Sequence, residues 1–477
     1  MKKKVCAIVG GVMAITLALG CVIVNLGTKK EANASNFEST DYEEMLPIME
    51  EFSKGYAKAY AEEMVENIEF DVSSIPLYNS QNNIVGYSVS LFDNETPYGY
   101  VNFDYTTESA IVDFSIDKDT KGMYESLEED LLENQTNISE DDCTEKIYYN
   151  DALNFAISAK QDDSDEEIYY DGSNFYEEEE YLKRQEEIAD AYFDYYGNET
   201  NSNSETVTAG VKEVKTSGNE DVKTGDNGSN EIDNKNSIKQ GFIDFVEECF
   251  PSIYNKFFSQ DGYKVTLKYK DFDSAFKTKE DVMGTIETEK FLDSYSKEKS
   301  LIAQKTIMTT TNKFACALVG ATEICQQENI MVNNNLKDTF DTLWDIADCD
   351  STVYETCTMY GDCEVKLAST QSENLADIMK EYGNKVGKNI TGEFVPAPDF
   401  EHYKNCIDNQ KPLILHAVIL KEGPHAVSTV GYAISKAGKH TVNYLIIADG
   451  WNDGAPRYVV HDKFLFDSTA CTSFTIE

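Results

Sequence analysis

The chain has little histidine: five residues in 477, all between His402 and His461. Imidazole chemistry is therefore confined to the C-terminal part. Residues 36–135 hold neither His nor Cys, which leaves nothing catalytic there. Basic residues are also few, 41 Lys and Arg against 86 Asp and Glu, for a net charge of −45. Such acidity argues against nucleic acid as a partner and for a well-solvated protein. No apolar run after residue 26 is long enough to span a membrane. Metal-binding patterns are lacking too. Cys357 and Cys363 with His402 have no zinc-type spacing. The carboxylate clusters at 162–167 and 177–180 lack the fixed Asp/Asn/Gly spacing of a calcium loop and read as a solvated acidic face. No metal and no organic cofactor is implied. Cys357 and Cys363 fit a disulfide in an oxidising compartment.

Aromatics, by contrast, are abundant, with 29 Tyr and 24 Phe, so a substantial core can form. The chain has room for two or three domains. Lys2 to Lys4 precede an apolar run from Val5 to Leu26, and Ala32-Asn33-Ala34 offers a small-x-small cleavage site. Residues 1–34 therefore read as a secretory signal peptide. The length of the run makes an uncleaved anchor over residues 5–26 the rival reading, and Gly20-Cys21 a weaker lipoprotein one. Each places the bulk of the chain outside the membrane, secreted or anchored.

Residues 36–135 read as a small α+β domain. Met45, Met49, Phe52, Tyr56, Tyr60 and Met64 fall at helical spacing. Alternation at Val85–Leu91, Val101–Tyr105 and Val112–Ile116 predicts a three-stranded meander. Residues 136–194 form an acidic region, and 195–240 are Asn, Ser, Thr, Gly and Lys-rich, too poor in apolar side chains to order themselves. The reading there is a disordered linker. Residues 241–477 have the composition of one globular unit, opened by a helix over 241–249 with Phe242, Phe245 and Val246 inward.

Within that unit, apolar runs at 412–420, 426–434 and 441–448 predict strands. His425 stands at the start of the second and Asp449 at the end of the third, so antiparallel pairing brings them to one end of a sheet. That is the base and orienter arrangement of nucleophilic catalysis, with Asn452 as a rival orienter. The matching nucleophile is Cys316. Polar residues including Asn312 precede it, and Ala317, Gly320, Ala321 and Ile324 come after it at helical spacing. A Cys in the first turn of a helix gains from the helix dipole, which predicts a lowered thiol pKa. Small residues behind it predict close packing of that helix. His416 reads as core, and His402, His440 and His461 as surface.

The words in chain order are the Cys316 helix, FEHYKNCIDNQKPLILH, then PHAV leading to Gly431-Tyr432, then Ala448-Asp449-Gly450-Trp451. Together they resemble the papain-like cysteine peptidases, closest to the streptopain-type and bacteriocin-leader-peptidase-like groups of secreted bacterial proteins. The stretch PLYNSQNNIVGYSVSLFDNETPYGYVNFDYTTESAIVDFS resembles the inhibitory pro-domains of the streptopain type. The resemblance implies a zymogen: an α+β papain-like fold at 241–477, with its own pro-domain at 36–135 as inhibitor and a peptide or protein as substrate. It implies Cys316 as nucleophile, His425 as base, Asp449 as orienter and Trp451 as the aromatic shielding the His–Asp hydrogen bond. The family's oxyanion-hole Gln stands about six residues before the Cys. Here that position is Thr310, and Asn312 or Gln304 with the Cys316 N–H are the candidates in its place. A catalytically silent papain-like binding module and an acyl transferase on the same triad are the alternatives.

Overall fold

The computed structural model describes residues 39–79, 81–107, 109–134, 138–139, 142–152, 154–160, 167–172, 175–178, 180–181, 183, 228–251, 254, 286–296, 316–348, 374–417, 425–437, 440–448, 455–461 and 470–477. Within these, the chain is mixed α and β, built on one large, mostly antiparallel sheet. The predicted signal segment at 1–34, residues 195–227 of the predicted linker at 195–240, and Cys357 and Cys363 lie outside the described residues.

The N-terminal elements are α1 (Ser39–Met64), β1 (Asp71–Tyr78), β2 (Ile84–Asp93), β3 (Thr96–Asp104), β4 (Ile111–Ile116), α2 (Met123–Asn134), β5 (Cys143–Asp151), β6 (Asn154–Lys160), β7 (Glu167–Tyr170) and β8 (Phe175–Glu177). Met45, Met49, Phe52, Tyr56 and Tyr60 of α1 are all buried, as their spacing predicts. The meander gains a strand over expectation: β1 pairs antiparallel with β2 along its whole length, with Pro76 inside it. The acidic region also departs from expectation, because β5 to β8 extend the sheet through it. Its tyrosines supply the reason. Tyr148, Tyr169, Tyr176 and Tyr181 form a buried cluster while the carboxylates stay outside.

The remaining helices are α3 (Gly228–Cys249), α4 (Cys316–Gln327), α5 (Leu336–Ala347), α6 (Leu375–Val386) and α7 (Phe400–Asp408). The remaining strands are β9 (Ile286–Phe291), β10 (Ile390–Pro396), β11 (Leu413–Ala417), β12 (His425–Ala437), β13 (His440–Ala448), β14 (Arg457–Val460) and β15 (Ala470–Ile476). Helix α3 starts thirteen residues before the predicted boundary at 240/241, inside the stretch that reads as linker. Ile238, Phe242, Phe245, Val246 and Cys249 make one buried stripe, and it turns toward the N-terminal unit. Phe242 lies edge-on to Phe52 at 5.4 Å and to Tyr105 at 4.8 Å. Burial of that stripe carries the polar turns ahead of it into the helix.

The sheet runs β10-β15-β11-β12-β13-β14-β4-β3-β2-β1-β5-β6-β7-β8, with β9 on part of β12. The two ends of the chain thus meet edge to edge, where β14 pairs antiparallel with β4. Helix α7 packs on one face over Leu413, Leu415, Val427, Leu445 and Ile447. Helix α4 packs on the other over Ile414 and Ala426. Beside α4 on that face, α1 and α3 share a core with Tyr444, Ile446 and Ala448 of β13.

Candidate functional site

The site is built where the start of α4 meets the start of β12. Cys316 is the first residue of α4 and is half-buried, while every residue after it in the helix is buried. Such burial is possible because the helix is lined with small residues. A Cβ placed on Gly320 would sit 3.4 Å from Ile414 Cδ1 and 3.5 Å from the Ser428 nitrogen, so the helix rides directly on β11 and β12.

The Cys316 sulfur lies among backbone amides. The N–H groups of Ala426, Ala317 and Cys316 itself each act to lower its pKa. Two of these belong to the first turn of α4, as the helix-dipole argument requires. The third belongs to the residue directly after His425. The predicted lowering of the thiol pKa is nevertheless corrected. Burial dominates the three amides, and the net direction is upward.

His425 opens β12 and pairs with Ala417 of β11, one step from the His416–Ala426 pair. Across the sheet, Ala448 closes β13 opposite Ser428. Asp449 comes directly after Ala448 in the chain. The backbone therefore gathers the positions of Cys316, His425 and the end of β13 at one end of the sheet. Asp449, Trp451, Asn452, Asn312 and Gln304 lie outside the described residues.

No protein-family model matches the chain, and no curated protein matches it. The chemistry of the site thus rests on its own residues.

The other described cysteines differ from Cys316. Cys249, Cys325, Cys406 and Cys471 are buried. Burial pushes the thiols of Cys325 and Cys471 up to about 12. Cys143 is half-buried but lies in β5, far along the sheet from any His. Cys316 alone among the described thiols joins partial access to a helix N-terminus and a His-bearing strand.

His416 is a core residue, as expected. Its Nε2 lies 2.8 Å from Thr472 Oγ1, while Nδ1 has no partner among the described residues. Burial lowers its pKa to about 4, so it is neutral at neutral pH. His461 corrects the surface reading: it is half-buried, its ring 5.5 Å from Phe400 and 5.6 Å from Tyr403. Those aromatics belong to α7, which the apolar positions Phe400, Tyr403 and Ile407 mark at helical spacing. Among the described residues no group of three His, Cys, Asp or Glu could hold a metal ion. No helix among them is long and apolar enough to cross a membrane.

Proposed function

We propose that residues 241–477 carry a papain-like cysteine peptidase, with Cys316 as nucleophile, His425 as base and Asp449 as the residue that orients the imidazole. One observation carries the reading: Cys316, at the N-terminus of α4, lies with its thiol beside the backbone amide of Ala426, next in the chain to His425. A thiol beside the strand that a His opens supplies, in the same part of the fold, the two residue types acyl transfer needs.

The reaction runs in two halves. His425 takes the thiol proton as the sulfur attacks the scissile carbonyl carbon, forming a C–S bond. Collapse of the tetrahedral intermediate breaks the C–N bond, and the imidazolium gives its proton to the leaving amine. Water then attacks the thioester with His425 again as base, releasing the acid and the free thiol. The N–H groups of the first turn of α4 are the donors available to the oxyanion, with Asn312 or Gln304 as side-chain candidates. Burial, which raises the thiol pKa, makes the base's part in removing that proton the more necessary. Export through residues 1–34 belongs to the same reading.

That raised thiol pKa also favours a second reading, a papain-like domain that binds peptides without cleaving them. Incubating the chain from residue 36 onward with a mixed peptide library, and reading products by mass spectrometry, separates the two. The peptidase reading expects new termini with the wild type and none with Cys316→Ala. Library peptides retained on the protein but left intact by both would establish the binding module instead. Products joined to an added amine would indicate the acyl transferase.

A further inference from the structure

The sequence suggests an N-terminal unit that acts as a removable inhibitor, freed when the linker is cut. The seam between the two halves of the chain is built otherwise. At its centre Arg457 of β14 and Asp113 of β4 form an ion pair at 2.9 Å, with side chains 2% and 0% exposed. Tyr100 and Asn102 of β3 donate to the same Asp113 oxygen at 3.0 and 3.1 Å. The Arg457 Nε donates to the Tyr100 hydroxyl at 2.8 Å, and a terminal guanidinium nitrogen donates to the Ala152 carbonyl at 2.6 Å. Ser115 donates to the Pro456 carbonyl at 2.9 Å. This network is fully formed only while both halves are present. Opening the seam would take from the Asp113 carboxylate its guanidinium, and from Arg457 its bonds to Asp113, Tyr100 and Ala152.

Apolar contacts cross the same seam. Phe114 stacks on Tyr458 at 4.6 Å and meets Tyr444 edge-on at 5.2 Å. Val442, Tyr444, Ile446, Ala448, Tyr458 and Val460 belong to one core with α1 and the meander. The crossing is also reciprocal. Helix α3 lies C-terminal to the linker yet buries its stripe on the N-terminal unit, closely enough that a Cβ on Gly241 would fall 2.3 Å from the Tyr105 carbonyl oxygen. Each half therefore lends the other part of its core.

We propose that the N-terminal unit is a permanent half of the folded protein, and that a cut between residues 184 and 227 yields a two-chain complex rather than a freed C-terminal domain. The partner that β14 and the face of β13 fit is the N-terminal unit itself. Processing at Lys212, Lys215 or Lys223 would change how the halves are tethered without separating them. Any inhibition by this unit would then be relieved by movement at the seam and not by dilution. The unit also backs the strand that leads into Asp449. The proposal stands independently of the peptidase reading, because the seam contacts named here are made by residues other than Cys316.

The test uses the chain from residue 36 onward, as Cys316→Ala to prevent self-cutting, with a site-specific protease sequence inserted near residue 210. After complete cutting, size-exclusion chromatography at micromolar protein should give one peak containing both fragments, and thermal unfolding should remain a single transition. Arg457→Ala in the same nicked protein should split the peak or lower the transition, since it strands Asp113. Two separate peaks of folded fragments from the unsubstituted nicked protein would overturn the proposal. So would precipitation of either fragment on cutting, or an Arg457→Ala protein that behaves identically.

Discussion

The backbone amide of Ala426 lies beside the sulfur of Cys316 and acts to lower its thiol pKa. These residues are 110 apart in the chain, and the contact ties the N-terminus of α4 to the first rungs of β12. It sets the Cys316 thiol beside the strand that His425 opens. It also shows what opposes reactivity, because the packing that makes the contact removes water from the sulfur. The two effects pull the thiol pKa in opposite directions, and burial prevails.

Gly320 sets how closely that contact is held. A methyl group there would meet Ile414 and the Ser428 nitrogen at ordinary contact distance. Gly320→Ala should therefore fold, with the helix gaining up to about 1 kcal/mol of intrinsic preference. Gly320→Leu cannot be housed without lifting α4 from the sheet. Its thiol labelling at Cys316 should rise toward that of an exposed Cys as the sulfur loses cover, while the protein loses about 1–3 kcal/mol in denaturant unfolding. Unchanged labelling in Gly320→Leu would mean that α4 does not control the thiol.

His416 predicts an acid-side loss of stability. Its folded pKa is depressed to about 4 by burial, below the ordinary value near 6.5. Under pH 6.5 the unfolded chain binds a proton that the folded chain refuses, so stability falls as pH drops from about 6.5 toward 4. The full contribution is about 3 kcal/mol. His416→Gln, which keeps a polar partner for Thr472, should flatten the slope of unfolding free energy over that window. A slope that survives the substitution would assign it to other groups.

The Arg457–Asp113 pair predicts a marked asymmetry between single and double substitutions. Arg457→Met leaves Asp113 charged in the core and should cost about 3–5 kcal/mol. Replacing both, as Arg457→Met with Asp113→Leu, should recover most of that loss, because neither partner is then stranded. Denaturant midpoints of the two singles and the double measure the coupling. Additive losses would show that the pair is not the organising contact of the seam.

Much of the fold was legible where one periodicity acted locally. The buried face of α1 was spaced at helical intervals from Met45 to Tyr60, and β2, β3 and β4 alternated clearly. His425 and Ala448 were placed at the ends of their strands because the apolar runs begin and stop there. The start of α3 was not legible, since Gly228 to Asn236 carry no helical signal and are held in the helix by the buried stripe from Ile238 to Cys249. The β14–β4 pairing could not be seen either. It joins segments more than 340 residues apart through backbone groups, and Arg457 looks like any surface Arg until Asp113 faces it. The direction of the Cys316 pKa failed for the same kind of reason. The helix N-terminus is a local feature, whereas burial of the sulfur depends on β12.

The most direct measurement is the rate of site-resolved iodoacetamide labelling at Cys316, compared between wild type and His425→Ala at pH 7. Cys143, half-buried and remote from any His, serves as the internal reference. With its thiol pKa raised by burial, Cys316 without a base should be slower than Cys143. With His425 present it should label at least about tenfold faster than in His425→Ala. The difference should narrow as the pH is raised and more of the thiol ionises without help. Equal rates at Cys316 in the two proteins across the whole range would contradict the claim that His425 serves this thiol.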